Sequence, residues 1–387
     1  MLKGQHITII GAGIAGLSCA IALAQRGAVV RVLEQAEKIT EIGAGLQITP
    51  NGVAVMDALG LGEKLRAVGL KSETVVLRDY RRGAQVASLD MTTSGGGRPY
   101  LLVHRSDLID LLLGAAKHAG VSIELGQQAT AVVLGSGPPR VTMTHGQTDC
   151  PGLLIGADGL NSRLRQALGG AQVPFFTGQV AWRALVDGSA SSSVNVHMAP
   201  GRHLVSYPLR GGAMTNIVGI QERDDKAAEG WDQSSDVEQF RAIFSDFCPE
   251  VTQLLGRVDA VNIWGLYRHP VAQKWHGNSC VLLGDAAHTT LPFLAQGANM
   301  ALEDAWVLAD CLDSLPVEQA LPQYQQRRFD RVSRIVAAAN ANARNYHLRN
   351  PLVRFAAHSG LRALSAVAPG QLMARFDWVY GCDVTRA

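Results

Sequence analysis

With 387 residues, the chain is long enough for two or three domains with a substantial core. Its composition, 47% hydrophobic and 18% charged, excludes a disordered protein, and its net charge of +2 gives no basis for nucleic-acid binding. The six scattered cysteines form no C-x-x-C pair, and no run of about 18 uncharged apolar residues occurs, so we expect no metal site, no redox dithiol and no transmembrane segment.

The first unit predicted along the chain encloses a glycine motif. A β-branched apolar run at residues 6–10 predicts a strand, an Ala- and Leu-rich run at 17–25 predicts a helix, and residues 29–33 predict a second strand. Between the first strand and the helix, residues 11–16 read G-x-G-x-x-G. In this context the motif indicates binding of a dinucleotide, either FAD or NAD.

Each glycine of the motif has its own task. Gly11 permits the tight turn from strand to helix, Gly13 lets the backbone approach a pyrophosphate, and Gly16 allows the helix to pack closely on the strand. The free N–H groups and the positive end of the helix then face the phosphates. Glu34, at the end of the second strand, is placed to accept hydrogen bonds from a ribose.

The position of the motif bears on the cellular compartment. It begins within a dozen residues of Met1, which leaves no room for a signal peptide. We therefore expect a cytoplasmic protein with reduced cysteines. The sequence leaves open whether it is a monomer or a homodimer.

The next segments predict a ligand contact and two helices. Residues 41–52 are rich in Gly, which permits close approach to a flat ligand, and 51–65 predict a helix. A second helix opens at 104–108 with Ser106 as its expected N-cap. Arg105 at its start can reach a phosphate or can pair at the surface with Asp107, and the spacing alone leaves both interpretations open.

A third buried strand, at 153–155, leads into a Gly-Ala-Asp-Gly turn at 156–159. Asp158 makes the turn sharp, and Ser162 can cap the short helix that follows. A turn of this kind is usually structural, so alone it indicates little about function.

The stretch from 172 to 275 is rich in predicted strands, with one clear helix at 236–247. It carries Arg183, His203 and Tyr207, which suggests a wall facing a ligand, although any one of these is more often a core or edge residue. On one strand, His203 and Tyr207 point to the same face.

The last part of the chain returns to buried and helical segments. Residues 279–283 predict a strand, and 284–288 follow as Gly-Asp-Ala-Ala-His. A helix is expected over 297–312, whose N-terminus offers free N–H groups and a positive dipole end. Residues 318–348 are also expected to be helical.

Three motifs follow one another along the chain, at 11–16, 156–165 and 284–299. Together they resemble the single-component flavoprotein aromatic hydroxylases, the family typified by para-hydroxybenzoate hydroxylase, over residues 5 to about 326. The Trp182-Arg183 pair, His203 before Tyr207-Pro208, and the 295–297 segment are most similar to the salicylate, 3-hydroxybenzoate and 6-hydroxynicotinate hydroxylase branch.

The resemblance implies an α/β fold. An FAD-binding Rossmann-like βαβ domain, of the glutathione-reductase and para-hydroxybenzoate hydroxylase type, would hold an inserted β-rich substrate domain and a C-terminal helical segment. The expected boundaries are 1–72, 101–171 and 276–330 for the FAD-binding parts, 73–100 and 172–275 for the substrate domain, and 331–387 for the helical region.

The resemblance also implies which residues contact FAD. They come from all three motifs and the segments between them: Gly11, Gly13, Ala15, Gly16, Glu34, Gln47, Arg105, Asp158, Asp285, Gly297, Ala298 and Asn299. Asp158 and Arg165 match a motif linked to both FAD and nicotinamide. Arg183 and Gln296 are the expected substrate contacts. The sequence departs from many relatives at Ala295, where they carry Gly.

The implied activity is hydroxylation of a small aromatic acid by dioxygen through a flavin hydroperoxide, with electrons from NADH or NADPH. His203 is the expected catalytic base and Tyr207 its partner on the substrate hydroxyl, with His288 as a competing base. The pH profile should then show a limb at about 6 to 7. A halogenase, reductase or epoxidase on the same fold, an NAD-dependent dehydrogenase and a nucleotide-binding regulator remain as alternatives, although the halogenase motif W-x-W-x-I-P is not found.

Overall fold

A computed structural model describes residues 2–39, 44–169, 173–189, 191–225 and 233–386. Residues 41–43 of the predicted glycine-rich segment and 170–172 at a predicted domain boundary lie outside these ranges. Within them, no helix is both long and apolar enough to cross a membrane.

The strands run throughout the first three quarters of the chain. In order they are β1 His6–Ile10, β2 Val29–Leu33, β3 Gly45–Ile48, β4 Leu70–Lys71, β5 Thr74–Asp79, β6 Gln85–Asp90, β7 Leu101–His104, β8 Ser122–Glu124, β9 Ala129–Val133, β10 Arg140–Met143, β11 Thr148–Asp149, β12 Leu153–Gly156, β13 Phe175–Asp187, β14 Val194–Ala199, β15 Arg202–Leu209, β16 Met214–Glu222, β17 Ser234–Ser235, β18 Val261–Arg268 and β19 Cys280–Leu282.

The helices separate these strands and fill the C-terminal part. In order they are α1 Ile14–Ala24, α2 Pro50–Ala58, α3 Gly62–Val68, α4 Arg105–His118, α5 Arg163–Gly169, α6 Val237–Ile243, α7 Pro249–Gly256, α8 Gly297–Ser314, α9 Val317–Tyr346, α10 Pro351–Val367, α11 Pro369–Ala374 and α12 Asp377–Tyr380.

A five-stranded parallel sheet forms the centre of the first layer, in the order β19-β12-β1-β2-β8. Its strands are short and apolar, and buried parallel strands read as continuous hydrophobic runs for this reason. Helices α1 and α8 pack against each other beside it. The carboxyl ends of β1, β12 and β19 therefore meet at one edge, where ligands bind in open α/β sheets.

A second, eight-stranded sheet has the order β17-β18-β13-β16-β15-β14-β5-β6. Its neighbours pair antiparallel except β14 and β5, which pair in parallel. The strands of the predicted excursion at 73–100 lie in this sheet. One face borders a large cavity, and an aromatic cluster that includes Phe240, Phe244 and Phe247 packs α6 and α7 onto the other face.

Three elements differ from the sequence predictions. The helix expected over 51–65 is two helices, because Gly60 adopts a left-handed φ of 74° between α2 and α3. The N-cap of α4 is His104 rather than Ser106, whose hydroxyl instead bonds the His104 ring at 2.7 Å. The 172–275 stretch holds α7 as a second helix, which begins at Pro249 in its first turn.

Candidate functional site

A cavity of about 1200 Å³ lies between the two sheets. Parts of all three motifs line it at one end, and the eight-stranded sheet lines it at the other. Pockets for single small molecules measure roughly 300 to 1,000 Å³. The volume therefore suits a dinucleotide together with a second, smaller molecule.

The glycine motif shows which of its residues pack and which face a ligand. A Cβ on Gly11, whose φ is 102°, would lie 2.4 Å from the Ala157 carbonyl oxygen, and one on Gly16 would lie 1.9 Å from the Gly11 oxygen. A Cβ on Gly13 would meet nothing within 4 Å, and Gly13 lines the cavity. The loop is thus tight against the protein on two sides and open only where a pyrophosphate can approach.

Glu34 lies directly behind this loop. Its carboxylate accepts hydrogen bonds from the backbone N–H groups of Ala12 at 2.7 Å and Ala36 at 2.9 Å. It also lines the cavity, so an oxygen lone pair remains for a ribose hydroxyl.

Arg105 and Asp285 line the cavity near its middle. The Arg105 N–H at the start of α4 donates to the Ala44 carbonyl at 2.8 Å. Desolvation raises the pKa of Asp285 above its ordinary value, although the neighbouring His288 and Arg105 oppose this shift. The Asp285 turn is held against the first motif, because a Cβ on Gly284 would lie 2.9 Å from that of Ala15.

The Asp158 loop borders the same cavity, with a carboxylate oxygen that accepts from the Arg163 N–H at 2.9 Å. Burial raises the pKa of Asp158. Ser162 caps α5 as expected, its hydroxyl accepting from the Arg165 N–H at 3.1 Å. The Arg165 guanidinium donates to the carbonyls of Pro270 and Ala286 and so ties this loop to the Asp285 loop.

The N-terminus of α8 points its first residues, Gly297 and Ala298, into the cavity. Asn299 is fully buried beneath them, where its amide donates to the carbonyls of Gln47 at 3.0 Å and Ala295 at 2.7 Å. A contact of Asn299 with FAD, which remains a prediction, would therefore come from its backbone. Positive helix ends stabilise negative charge, as on a reduced flavin.

Gln296 borders the cavity, but its amide is engaged by protein groups. It donates to the Thr49 hydroxyl at 3.0 Å and accepts from the Asn51 amide at 3.1 Å. The predicted substrate contact of Gln296 stays a prediction. Thr49 and Asn51 hold this amide in place, and no motif in the sequence pointed to them.

Ala295 adopts the left-handed region, with φ 54° and ψ 35°. An L-residue with a Cβ is strained there, by roughly 1–2 kcal/mol. The loop before α8 thus keeps a conformation that suits Gly, although the chain carries Ala.

The eight-stranded sheet presents His203, Val205 and Tyr207 to the cavity, as the two-residue period of a strand predicts. Arg183 lies two strands away, opposite Val218, with its guanidinium 5.0 Å from the centre of the Trp264 ring. The structure therefore brings together the predicted catalytic pair and the predicted substrate arginine on one wall.

Tyr207 is buried between the wall and the β3 segment. Its ring lies against Gly45, where an added Cβ would be 2.5 Å away. Burial raises the pKa of Tyr207 to about 12, against the lowering effects of Arg183 and of a hydrogen bond with Gln47. Tyr207 thus stays protonated at neutral pH.

A chain of polar groups leads from His203 to the surface. The His203 Nδ1 lies 2.7 Å from the His347 Nε2, and the His347 Nδ1 lies 2.9 Å from a Glu222 carboxylate oxygen. The other Glu222 oxygen accepts from the exposed Arg349 at 2.6 Å. We call His203, His347 and Glu222 the histidine relay. The sequence offered no sign of His347 or Glu222, because the three lie far apart along the chain.

The partners fix the tautomers of the relay. A carboxylate only accepts, so the His347 Nδ1 carries the proton, and the longer 3.5 Å contact from the Gln179 amide is secondary. The His347 Nε2 then accepts from the His203 Nδ1, which leaves the lone pair of His203 on its Nε2.

The pKa of His203, rather than its charge state at neutral pH, differs from the sequence prediction. Burial, and secondarily His347, lowers the pKa of His203 well below its ordinary value. His203 is therefore neutral at pH 7 and able to accept a proton. The expected pH limb at 6 to 7 is wrong for the free protein, because desolvation moves this titration to lower pH.

His288, the competing base, does not line the cavity. It is buried with its Nε2 2.5 Å from the Asp304 carboxylate, which also accepts from the Gly284 N–H at 3.2 Å. Its contacts hold the Gly284–Ala286 turn.

Comparison with known proteins agrees with this geometry. The family model described as FAD binding domain matches residues 5–339. The chain belongs to this family. It is 34% identical to 3-amino-4-hydroxybenzoate 2-monooxygenase of Streptomyces cremeus, covering 89% of this chain and 88% of the relative. It is also 34% identical to 3-hydroxybenzoate 6-hydroxylase of Polaromonas naphthalenivorans, covering 98% and 96%.

A solved structure of Klebsiella pneumoniae HpxO complexed with FAD and uric acid superposes with a TM-score of 0.86 at 26% identity, covering 98% of this chain and 97% of that one. The chain is thus an FAD-dependent aromatic monooxygenase, and the fold and family expected from the three motifs are confirmed. The dehydrogenase, the regulator and the other flavoenzymes considered above are not favoured.

Proposed function

We propose that this protein hydroxylates a small aromatic acid that already carries a hydroxyl group, with NADH or NADPH as electron donor and dioxygen as the second substrate. The observation that carries the proposal is the histidine relay, which ends in the neutral His203 on the cavity wall. The names of two relatives, which act on an amino-hydroxybenzoate and on 3-hydroxybenzoate, support the same substrate class.

The cavity fits FAD at its motif-lined end. Gly13 leaves open space for a pyrophosphate, Glu34 is placed for a ribose, and Arg105 and Asp285 flank the middle. Gly297 at the start of α8 would face the ring system. FAD bound there supplies the electron transfer and oxygen activation that no amino-acid side chain provides.

The opposite end of the cavity fits an aromatic carboxylate. Leu185, Val205, Val218 and Phe293 provide an apolar lining suited to a flat ring. The Arg183 guanidinium adds a positive charge to this wall, and desolvation lowers its pKa from the ordinary value. A carboxylate beside Arg183 would offset that desolvation, and arginine binds carboxylates with two parallel hydrogen bonds.

The histidine relay can remove a proton from the substrate. A phenolate ring is more nucleophilic than a phenol, so removal of the hydroxyl proton activates the substrate. The His203 Nε2 accepts this proton, the His203 Nδ1 passes its own to His347, and His347 delivers its Nδ1 proton to Glu222 near the surface. The buried imidazole of His203 then need not hold a positive charge. Tyr207, protonated at neutral pH, would donate to a substrate oxygen.

We place the enzyme in the cytoplasm, as a monomer or a homodimer. All six cysteines are free, which fits a reducing compartment. Size-exclusion chromatography with light scattering would assign the oligomeric state.

The proposal is tested with the purified FAD-bound protein and a panel of aromatic acids. Hydroxybenzoates should stimulate NADH or NADPH oxidation and yield a product with one more oxygen, detected by mass spectrometry. Benzoate without the ring hydroxyl is the matched control and should give little product. Equal hydroxylation of benzoate, or no product from any hydroxylated acid, would contradict the proposal.

A further inference from the structure

A second cluster of reactive side chains lies on the far side of the eight-stranded sheet. Val194 and Val196 of β14 face the cavity, and the alternate residue His197 therefore faces the layer of α6 and α7. There it meets Cys248 and Glu250 at the start of α7. One ring nitrogen of His197, the Cys248 sulfur and a Glu250 oxygen all lie within 4.8 Å of one another.

His197 is the unusual member of the cluster. It is 1% exposed, and neither of its ring nitrogens has a hydrogen-bond partner among the residues that the structure describes. Buried polar groups are almost always paired, so an orphaned imidazole needs an explanation. A bound group that accepts the lone pair of a ring nitrogen would explain why this imidazole has no partner within the protein.

The other two members are placed to bind a cation. Cys248 is the N-cap residue of α7, and its backbone N–H is fixed by the Tyr80 carbonyl at 2.7 Å. The thiolate is the form of a cysteine that binds metals. The Gly83 turn covers the sulfur, since a Cβ on Gly83 would lie 3.2 Å from it. Glu250 is exposed and offers an oxygen with access from solvent.

We propose that His197, Cys248 and Glu250 form a zinc site. Nitrogen, sulfur and carboxylate ligands together suit Zn²⁺, whereas Mg²⁺ and Ca²⁺ prefer oxygen alone. Three protein ligands leave the fourth tetrahedral position to water, which can enter beside Glu250. On binding, the Cys248 S–H bond is lost, sulfur keeps the electron pair for the metal, and the proton goes to solvent.

Neutral His197 is compatible with this role, because desolvation lowers the pKa of His197 to about 4. Besides Glu250 itself, Arg78 and Asp79 on the adjacent strand β5 act on His197 through their charges. The Arg78 guanidinium is directed to the Asn195 side chain at 2.8 Å and to the Gly83 carbonyl at 2.9 Å. The two charges oppose each other, so β5 adds little net charge to the site.

Zinc bound here would fasten α7 to β14. The eight-stranded sheet separates the site from the cavity, so a zinc ion bound here takes no part in hydroxylation. The C-x-x-C spacing sought in the sequence could not show the site, since its ligands come from a strand and a helix that meet only in the fold.

The test uses the FAD-bound protein under reducing conditions. After loading with zinc and dialysis, metal analysis should find one zinc per chain, and zinc should raise the Tm. Titration with Co²⁺ should add a thiolate-to-cobalt charge-transfer band in the difference spectrum. Cys248→Ser and His197→Ala should abolish stoichiometric zinc and the band. Glu250→Gln should not affect folding, because the position is exposed. It should lower the affinity for zinc by at least about tenfold, since even the loss of an outer-shell partner changes metal affinity by that much.

Cys150→Ser is the matched control, because Cys150 is an exposed cysteine elsewhere in the chain. It should bind zinc and cobalt like the unchanged protein. No zinc retained by the unchanged protein would overturn the proposal. So would equal binding in Cys248→Ser and Glu250→Gln, which would indicate an adventitious ion only.

Discussion

Glu34, predicted to bind a ribose, has a second task inside the protein. The sequence placed it for a ribose, and the structure adds that it holds the glycine loop through the N–H groups of Ala12 and Ala36. Neither bond could be read from spacing, because each depends on the exact path of the loop. The same holds for Asn299, which resembles a flavin ligand in sequence but fixes two carbonyls with its side chain.

Glu34→Ala should weaken FAD binding by roughly 1–3 kcal/mol, the range for a hydrogen bond to a charged group. Glu34→Gln keeps one acceptor oxygen and should lose less. Flavin fluorescence on titration of the apoprotein measures both dissociation constants. An unchanged constant in Glu34→Ala would show that the ribose is held elsewhere.

Ala295→Gly should stabilise the FAD-bound protein, because Gly adopts φ 54° without the strain of a Cβ. We expect a gain of about 1 kcal/mol in the free energy of unfolding, reduced somewhat by the larger entropy of Gly in the unfolded chain. Urea denaturation measures it. Ala305→Gly, in the middle of helix α8 and away from the cavity lining, is the control and should destabilise; a loss of stability in Ala295→Gly as well would contradict the argument.

At the scale of elements, α8 connects the cavity to a network of buried ion pairs. Its N-terminus borders the cavity, and its next turn carries Glu303 and Asp304, both fully buried. Arg328 of α9 pairs with Glu303 at 2.6 Å and with Asp304 at 2.7 Å. Asp304 in turn holds His288 and the Gly284 turn, so the ion pairs connect α9 with the third motif.

Asp304→Ala should therefore cost about 3–5 kcal/mol of stability, the usual result when one partner of a buried ion pair is removed. Asp310→Ala on the same helix is the control. It breaks the half-exposed pair with Arg327 and should cost about 1 kcal/mol or less. Chemical denaturation of both variants gives the comparison, and equal losses would contradict the role given to Asp304.

Strands β1 and β2 were predicted with their observed bounds, because buried parallel strands are marked by apolar runs between turn residues. The break between α2 and α3 was missed. The apolar pattern continues across Gly60, and only the three-dimensional path shows that its φ is positive. A left-handed Gly is a common helix end, so the conformation of Gly60, and not the apolar pattern, decides where α2 stops.

At the scale of the molecule, the cavity lies between the carboxyl edge of the parallel sheet and one face of the eight-stranded sheet. The sequence predicted several of the residues that line it, such as Glu34, Asp285 and Tyr207, since each motif or wall strand is local. It could not predict the histidine relay, whose members come from β15, β16 and the segment after α9. Residues that are so far apart in sequence do not form a motif with a recognisable spacing.

The buried relay should make the whole protein sensitive to acid. Burial lowers the pKa of both His203 and His347, so they are neutral when folded and protonated when unfolded below pH 6.5. The unfolded state then binds more protons, and stability falls as pH drops through 6.5, by at most about 1.4 kcal/mol per pH unit for each histidine. Urea midpoints at pH 7.5, 6.5 and 5.5 measure the slope. It should be shallower in His347→Gln, and a slope unchanged by that substitution would contradict this origin.

The central claim is that His203 removes the substrate proton, and the ratio of hydroxylated product to NADH consumed tests it most directly. In His203→Ala at pH 7, hydroxylation should fall by about 10²–10⁴-fold, the usual effect of losing a positioned base. NADH oxidation should continue, with hydrogen peroxide released in place of product. Coupled hydroxylation at the rate of the unchanged enzyme would contradict the account and show that another group activates the ring.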